Sequence, residues 1–391
     1  MSSTVKNLTV TCNPPKDSDA FTVGDWVTGV VNLEVVKECH IESLSIKFKG
    51  KAEVLWTERH GNTTHVYHSK DKYFSIKHFF VRHHNSEEHG DNEILLSNQN
   101  GETYSSIVNP GCHVYPFTFQ FPVMDMPRSF KGSVGKIVYL LEAKLSRSMR
   151  IPKKDKTKIS YVPRADFSCI PELMIPQHES KDKKMKFFSS GTVAMDVDIE
   201  KSGFFQGEGI KVIAHIQNNS SREIKPKFCV YSKHSFFAEG RRRLNTKDLV
   251  KEVGEPIPPS AKTMVTRIIT IPHDMEPSIL DCKILKVEHR LRIFSQVYLD
   301  VKYASDPEIK FPIVILPVTQ VPGEAPPPPA AAAASAAGLQ SRSLNTPYWN
   351  PQPTSWGIAQ PSAPAVSQPN DPPPPPYEAY GMYPSLMDFN N

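Results

Sequence analysis

Apolar side chains in the first 317 residues tend to recur at every second position, and this period constrains the fold most strongly. Residues 25–35, 41–48 and 116–122 alternate between apolar and polar side chains. Successive side chains of a β-strand point to opposite faces of a sheet, so this pattern predicts strands with one buried face. We find no long amphipathic helix with capping signals in the sequence. Many short strands without intervening helices favour β-sandwiches, so the predicted fold class is all-β.

Two sequence landmarks occur twice in the same order. The first is an aromatic residue followed three positions later by a glycine and an acid, at residues 21–25 and 204–208. The second lies near the end of each half, where residues 121–137 are similar to residues 271–284. Matching landmarks at similar spacing predict two copies of one sandwich. The expected boundaries are 1–165 for the first domain, 166–190 for a linker, 191–317 for the second domain and 318–391 for a tail.

The composition changes from Val318 onward. This tail holds 17 of the 36 prolines and an alanine run at residues 330–334, but only one base and four acids. Such a segment buries too little apolar surface to offset the entropy of ordering, so we predict that it is disordered. The rest of the chain then carries 45 bases and 37 acids, a net charge of +8.

Eleven of the 45 bases of the body lie in three short runs. These are Lys153, Lys154, Lys156 and Lys158; Lys181, Lys183, Lys184 and Lys186; and Arg241, Arg242 and Arg243. One interpretation is that the runs are solvated loops. The other is attraction to an anionic cytoplasmic leaflet, worth about 1 kcal/mol per base near the surface. The candidates for this second role are Lys183, Lys184, Arg241, Arg242 and Arg243. No run is interleaved with aromatic residues, so nucleic acid is not an expected partner.

The tail contains a PPxY motif, formed by Pro374, Pro375, Pro376 and Tyr377. Proline holds φ near −65°, so a proline run is already extended as a polyproline II helix. A segment of this kind suits the aromatic groove of a WW domain, with the tyrosine in a neighbouring pocket. The motif therefore predicts a WW-domain partner.

Two further motifs flank the PPxY motif. Pro361, Ser362, Ala363 and Pro364 resemble the P-[S/T]-A-P motif that ESCRT-I binds. Tyr383, Pro384 and Leu386 resemble the Y-P-x-L motif of ALIX-type adaptors and also fit the Y-x-x-Φ signal of clathrin adaptors. Chance in a proline-rich tail is the alternative for both. Because each contact buries little surface, tandem engagement would supply the avidity.

Several blocks of the body resemble the signatures of the arrestin fold. Residues 116–122, 129–132 and 135–139 are similar to the N-domain signature, and residues 201–208, 278–282 and 287–289 to the C-domain signature of α-arrestins. The resemblance covers nearly all of residues 5–317 and is closest to the arrestin-domain-containing/thioredoxin-interacting branch. It implies two immunoglobulin-type β-sandwiches in tandem. With the PPxY motif, it implies HECT-type ubiquitin ligases with WW domains as partners, and membrane receptors or transporters as cargo.

No motif typical of a catalytic site or a metal site is found. Residues 132–136 invite comparison with a P-loop, but the glycine spacing is wrong and Ile137 follows the lysine, so we predict a turn. The histidines at residues 60–89 lack a metal-ligand motif, and we prefer a polar strand and loop region to a pH-sensitive or metal-binding patch. The six cysteines are far apart and, without an export signal, are expected to be reduced. We therefore expect no enzyme activity and no cofactor.

These observations lead to two main hypotheses. The first is a cytoplasmic adaptor, recruited to the plasma membrane and endosomes, that links membrane cargo to a WW-domain ubiquitin ligase. The second is a scaffold for membrane budding that recruits ESCRT components through the motifs at residues 361–364 and 383–386. A thioredoxin-binding regulator is a weaker third hypothesis. It is disfavoured because the C-domain loop at residues 255–264 contains no cysteine.

Overall fold

The computed structural model describes residues 4–15, 20–82, 93–164, 170–184, 191–297 and 307–318. Within them the chain forms strands and one short 3₁₀ helix, Pro171–Met174. The strands of the first half are β1 (Val5–Cys12), β2 (Trp26–Val35), β3 (Cys39–His40), β4 (Ser43–His60), β5 (Thr63–Val81), β6 (Glu93–Leu95), β7 (Ile107–Val108), β8 (Gly111–Gln120), β9 (Phe130–Lys131), β10 (Gly135–Arg147) and β11 (Arg150–Ile159). Those of the second half are β12 (Gln177–Lys184), β13 (Gly191–Ile199), β14 (Gly203–Phe205), β15 (Gly209–Ser220), β16 (Ile224–Ala238), β17 (Arg241–Val253), β18 (Ala261–Thr270), β19 (Leu285–Val297) and β20 (Glu308–Leu316).

These strands form two β-sandwiches in tandem, which confirms the predicted fold class. In the first, the sheet β1-β2-β8 packs on the sheet β11-β10-β4-β5-β6. In the second, the sheet β12-β13-β15-β18 packs on the sheet β14-β20-β19-β16-β17. Inward-facing side chains from both sheets of each sandwich build its core. None of the helical residues in the described ranges belongs to a helix long and apolar enough to cross a membrane.

The alternating pattern predicts the buried face correctly. In β2 every second residue from Val27 to Val35 is buried, while the residues between them remain partly exposed. Across the sandwich lies an aromatic cluster in which the Phe48 and Phe121 rings meet edge to face, with their centroids 4.9 Å apart. The Tyr139 hydroxyl, although buried here, donates a 2.6 Å hydrogen bond to the carbonyl of Pro127. The core is therefore apolar and satisfies the polar tip of the tyrosine.

The segment predicted as a linker, residues 166–190, contains a strand. Within it, β12 pairs antiparallel with β13 along its whole length, from Gln177 opposite Ile199 to Lys184 opposite Thr192. The second sandwich therefore begins before residue 191. Its sequence, QHESKDKK, has no apolar alternation because β12 is an exposed edge strand and needs no buried face. For this reason, periodicity cannot detect the strand.

The first repeated landmark forms the same turn in both sandwiches. In each case a carboxylate, of Asp25 or of Glu208, accepts a 2.8 Å hydrogen bond from the backbone N–H three residues earlier. The preceding glycine adopts a left-handed φ, +79° at Gly24 and +83° at Gly207. Residues with a Cβ rarely adopt this conformation, which explains why glycine precedes the acid in both copies.

A serine closes each sandwich in a matching way. Ser129 Oγ accepts a hydrogen bond from Tyr161 N at 3.0 Å, and Ser278 Oγ accepts one from Ile315 N at 2.9 Å. In the second sandwich His289 Nδ1 also lies 3.0 Å from Ser278 Oγ. The two halves therefore repeat in hydrogen bonding as well as in sequence, as the second landmark predicts.

His289 is expected to make the stability of the protein depend on pH. The residue is 1% exposed, and burial, followed by repulsion from His234, lowers its pKa from 6.5 to about 4. The unfolded chain then binds more protons between these values, so stability is lost as the pH falls from 6.5 towards 4. The full shift corresponds to on the order of 3 kcal/mol.

Thermal unfolding across this pH window tests the expectation. His289→Gln removes the titration and should flatten the fall in Tm between pH 6.5 and pH 4. The control is His215→Gln, a partly exposed histidine on β15, which should keep the wild-type slope. Parallel slopes for wild type and His289→Gln would contradict the role of this residue.

Candidate functional site

The two sandwiches share apolar packing where β16 meets β4 and β5. Phe236 on β16 is fully buried, yet its ring belongs to the core of the first sandwich. Other residues of the second sandwich join the same cluster: Ala238, Ile279, Cys282, Leu285 and Val287. The junction is therefore continuous with the core of the first sandwich.

Two glycines allow the Phe236 ring to approach the backbone. A Cβ on Gly135 would lie 2.7 Å from the ring, and one on Gly132 would lie 3.1 Å from it. Both contacts are closer than ordinary van der Waals packing allows. Residues 132–136 contain the connection between β9 and β10, where Gly132 N donates to Gly135 O at 2.8 Å, which confirms the predicted turn. The glycines that resemble a P-loop therefore serve interdomain packing.

Polar contacts surround the site where the Phe236 ring packs against Gly132 and Gly135, which we call the Phe236 seat. The Tyr73 hydroxyl lies 3.3 Å from Cys282 Sγ, and Asn245 Nδ2 donates to Ser133 Oγ at 2.7 Å. The backbone N–H of His68, on the β4–β5 hairpin, donates to Glu239 Oε1 at 3.3 Å. All three contacts join the first sandwich to the second, so the β4–β5 hairpin is tied to the β16–β17 turn.

Arg128 and Glu276 bring opposite charges to the junction from different sandwiches. Burial lowers the pKa of Arg128 and raises that of Glu276, while the attraction between them opposes both shifts. His234 Nε2 lies 3.5 Å from Glu276 Oε2. Arg128 Nε and Nη1 are buried without a hydrogen-bond partner in the described part of the chain. Burying these two nitrogens without a hydrogen bond is costly, and the attraction of Glu276 for the guanidinium offsets part of that cost.

The interpretation of the basic runs as loops is wrong for the described residues. Residues 153–158 lie on β11, residues 181–184 on β12 and residues 241–243 on β17, each an outer strand of its sheet. Charged side chains on an outer strand discourage pairing with other chains. Such a strand needs no apolar alternation when its side chains remain in solvent, which is why the sequence suggested loops.

The basic membrane candidates lie on two different sheets of the second sandwich. The backbone of Lys183 and Lys184 pairs with that of Val193 and Thr192, while their side chains lie outside the described part of the structure. The three arginines follow the β16–β17 turn, with Arg241 and Arg242 exposed and Arg243 partly exposed. Arg242 Nη2 donates to Ser235 Oγ at 2.8 Å, and its guanidinium carbon lies 5.8 Å from the centre of the Phe237 ring. The pairing thus assigns the lysines and the arginines to separate strand edges.

The candidate binding motifs of the tail lie outside the described residues. They are Pro361, Ser362, Ala363 and Pro364; Pro374, Pro375, Pro376 and Tyr377; and Tyr383, Pro384 and Leu386. Their functional assignment therefore rests on the sequence alone.

Equivalent strands, β8 and β18, lie at one edge of the smaller sheet in each sandwich. Within the described residues each pairs through its backbone on one side only, β8 with β2 and β18 with β15. Met264 and Ile268 on β18 are 64% and 61% exposed, and Val114 on β8 is 57% exposed. An open edge beside exposed apolar side chains suits the addition of an extended peptide as a further strand.

Sequence reasoning missed a basic group on the β4–β5 hairpin. Lys47, Lys49 and Lys51 occupy alternate positions of β4, and Lys70 and Lys72 alternate on β5. These lysines recur at every second residue in the sequence, which places the three lysines of β4 on one face of that strand and the two lysines of β5 on one face of the other. The register that brings the two strands together is not visible there.

Comparison with known proteins agrees with this architecture. Residues 8–168 match the family described as "Arrestin (or S-antigen), N-terminal domain", and residues 189–320 match the corresponding C-terminal domain. This chain belongs to the α-arrestin family. Its relatives include arrestin domain-containing protein 4 from Mus musculus, which is 27% identical over 304 residues, covering 75% of this chain and 68% of the relative. Thioredoxin-interacting protein from Homo sapiens is 28% identical over 297 residues, covering 75% of this chain and 71% of the relative.

Both halves of the α-arrestin body contribute to the junction, and Gly135→Ala should weaken it. The added methyl group would overlap the Phe236 ring, and overpacking of this kind costs about 1–3 kcal/mol. Urea unfolding of the full chain measures the loss. The same substitution in a Phe236→Leu background should cost less, because the shorter side chain can vacate the space. Additive effects of the two substitutions would show that the ring does not rest on Gly135.

Proposed function

We propose that this α-arrestin is a non-catalytic adaptor that links membrane cargo to HECT-type ubiquitin ligases with WW domains. The cargo would be a receptor or a transporter. The resulting ubiquitination would promote endocytosis and endosomal sorting. The adaptor would work from the cytoplasm and be recruited to the plasma membrane and endosomes.

The observation that carries this proposal is the combination of an arrestin body with a PPxY motif on one chain. The body matches both arrestin domains, and the motif at residues 374–377 follows it in the proline-rich tail. A short proline motif is a weak signal in a tail of this composition. Behind an arrestin body it acquires a specific role, because the body can bind cargo while the tail binds the ligase.

The open strand edges support the cargo half of the proposal. The β8 and β18 edges could each accept an extended segment from a cytoplasmic tail, whose main chain would continue the ladder. The two edges are equivalent by duplication but carry different side chains. One body therefore offers two peptide sites of different specificity.

Thioredoxin binding, which the name of one relative states for that protein, is not proposed for this chain. The C-domain loop that would have to supply a cysteine for it, residues 255–264, contains none. Cys229 and Cys282 are buried, and burial raises the pKa of Cys229 as well as that of the partly buried Cys12, the latter to about 11. A thiol with a raised pKa is a poor nucleophile near neutral pH.

Substitution of the PPxY tyrosine tests the ligase partner. Tyr377→Ala removes the ring that would fill the WW pocket, so capture of a recombinant WW-domain ligase by the full chain should fall at least about tenfold. Tyr380→Ala, which changes a tail tyrosine outside all three motifs, is the matched control and should retain wild-type capture. Equal capture by wild type and Tyr377→Ala would refute the proposed ligase link.

The alternative function, an ESCRT-recruiting scaffold for membrane budding, is favoured by the two further tail motifs. Pro361→Ala combined with Pro364→Ala should reduce vesicle release from cells several-fold if this function operates, because ESCRT-I would lose its prolines. Pro351→Ala combined with Pro353→Ala removes two prolines outside the motif and serves as the control. Unchanged release with both pairs would eliminate this alternative and leave the ligase adaptor.

A further inference from the structure

A shallow depression of about 180 Å³ lies on the face of the β4–β5 hairpin in the first sandwich. Five lysines line it: Lys47, Lys49, Lys51, Lys70 and Lys72. None of them belongs to the basic runs noted in the sequence. The remaining lining comes from Gly50, Phe74 and Ser75. We refer to this feature as the lysine depression.

A β-bulge shapes the floor of the lysine depression. The register between β4 and β5 shifts between Gly50 and Lys51. A Cβ on Gly50 would lie 2.7 Å from both the Phe74 and the Tyr139 rings, so the backbone rests directly on the aromatic core. The extra residue of the bulge is Tyr73 on β5, while Gly50 brings the backbone of β4 close to the core between Lys49 and Lys51.

The lysines of the depression lie close enough together to repel one another. Lys51 lies directly opposite Lys72, and Lys47 lies directly opposite Lys77. Like charges at directly opposed positions destabilise a sheet. Burial, followed by repulsion from Lys49, Lys72 and Lys77, lowers the pKa of Lys47. A cluster of this kind favours an occupant that supplies negative charge.

The nearby carboxylates offset only part of this charge. Glu142 accepts from Lys49 at 2.8 Å and Glu53 accepts from Lys51 at 2.7 Å. Both acids also lie within 4.0 Å of lysines outside the depression, Lys156 and Lys136. Among the described residues no carboxylate lies within ion-pair distance of Lys47, Lys70 or Lys72.

The size and charge of the depression indicate the chemistry of its ligand. Five lysines and two acids leave a charge of +3. One phosphate monoester carries about −1.5 to −2 at pH 7, so two or more phosphates are needed to match it. The volume is below the roughly 300–1,000 Å³ typical of pockets for drug-sized ligands, and the polar lining does not suit an apolar one. A compact ligand with clustered phosphates fits both limits.

The strand pairing argues against a phosphorylated peptide. β4 is hydrogen-bonded to β10 on one side and to β5 on the other, so the backbone in the depression is already paired. An extended peptide would find no main-chain partner there. The lining also contains no arginine, whose planar fork favours bidentate recognition of single phosphate groups.

From these observations we propose that the lysine depression binds the phosphorylated ring of an inositol phosphate, presented by an inositol lipid or free in solution. Occupancy by a lipid would hold the first sandwich against an anionic leaflet. This site differs from the membrane candidates Lys183, Lys184 and Arg241–Arg243, which lie on the second sandwich.

Binding of the full chain to inositol trisphosphate, measured by calorimetry, tests the proposal. Lys70→Gln combined with Lys72→Gln removes two exposed charges that form no ion pair with any described residue, so the fold should be retained and can be checked by Tm. We expect about 30-fold weaker binding, from about 1 kcal/mol for each base. Lys211→Gln combined with Lys262→Gln removes the same charge from exposed positions of β15 and β18 on the second sandwich and should weaken binding by less than about threefold, because screening limits distant charges.

Flotation with phosphatidylcholine vesicles containing phosphatidylinositol bisphosphate identifies the source of the ligand. Loss of flotation in the Lys70/Lys72 variant supports a lipid headgroup, and binding of free inositol trisphosphate alone supports a soluble source. Equal losses in both double variants would overturn the proposal, as would charge-matched phosphatidylserine vesicles binding equally well. Tighter binding of a doubly phosphorylated peptide, or no binding of inositol trisphosphate by wild type, would also overturn it. Ligase capture should be unchanged in the Lys70/Lys72 variant, so this result is independent of the ligase link.

Discussion

The contact between Phe236 and the backbone of Gly135 joins the two sandwiches of this protein. A side chain from β16 completes the core of the first sandwich, and glycine at the contact leaves space for its ring. Burial of a phenylalanine side chain contributes roughly 1.5–3 kcal/mol. The placement of the β4–β5 hairpin beside the β16–β17 turn depends on this seat, since the polar contacts around it are few and partly exposed. The relative orientation of the two sandwiches therefore depends mainly on this apolar junction, to which Phe236 and its neighbours contribute.

Duplication explains much of the rest of the structure. Asp25 and Glu208 cap equivalent turns, and Ser129 and Ser278 close equivalent sandwiches. The copies differ in detail around these shared features. In the second sandwich, His289 lies within hydrogen-bond distance of the serine. The second sandwich also has the additional strand β12, and the described residues of the first have no counterpart of it beside β1. The shared hydrogen bonds preserve the sandwich, while the additional strand β12 gives the second copy an edge that the first lacks in its described residues.

Sequence reasoning succeeded where one face of a strand is buried and failed where neither face is. The alternation in β2 and β8 predicts those strands because the inward residues must be apolar. β12 and the basic start of β17 have exposed side chains, so their sequences resemble loops. The repeat and the arrestin signatures could be found from the sequence because they depend on local turns such as those at Asp25 and Glu208.

The Phe236 seat and the lysine depression could not be predicted from the sequence, because both depend on residues that are far apart in the chain. Gly135 and Phe236 are about a hundred residues apart, and only the packed structure shows that one accommodates the other. The lysines of β4 and β5 are separated by the hairpin, and a bulge at Tyr73 of β5 sets which of them face each other. A shift of one residue in that register would send alternate side chains to the opposite face of the sheet. The clustering of these lysines therefore depends on strand pairing and cannot be read from composition.

The separation of these surfaces has a consequence for an adaptor. The lysine depression lies on the face of the larger sheet of the first sandwich, whereas the β18 edge belongs to the second sandwich. They share no residue, so a headgroup and a cargo peptide would not compete for the same side chains. Two weak contacts made by one body add in avidity when both ligands lie at the same membrane, because the first contact raises the local concentration of the second. The PPxY motif, if it binds a ligase as proposed, requires neither surface. An α-arrestin built in this way would therefore bind cargo at a phosphoinositide-bearing membrane more tightly than the same cargo peptide in solution.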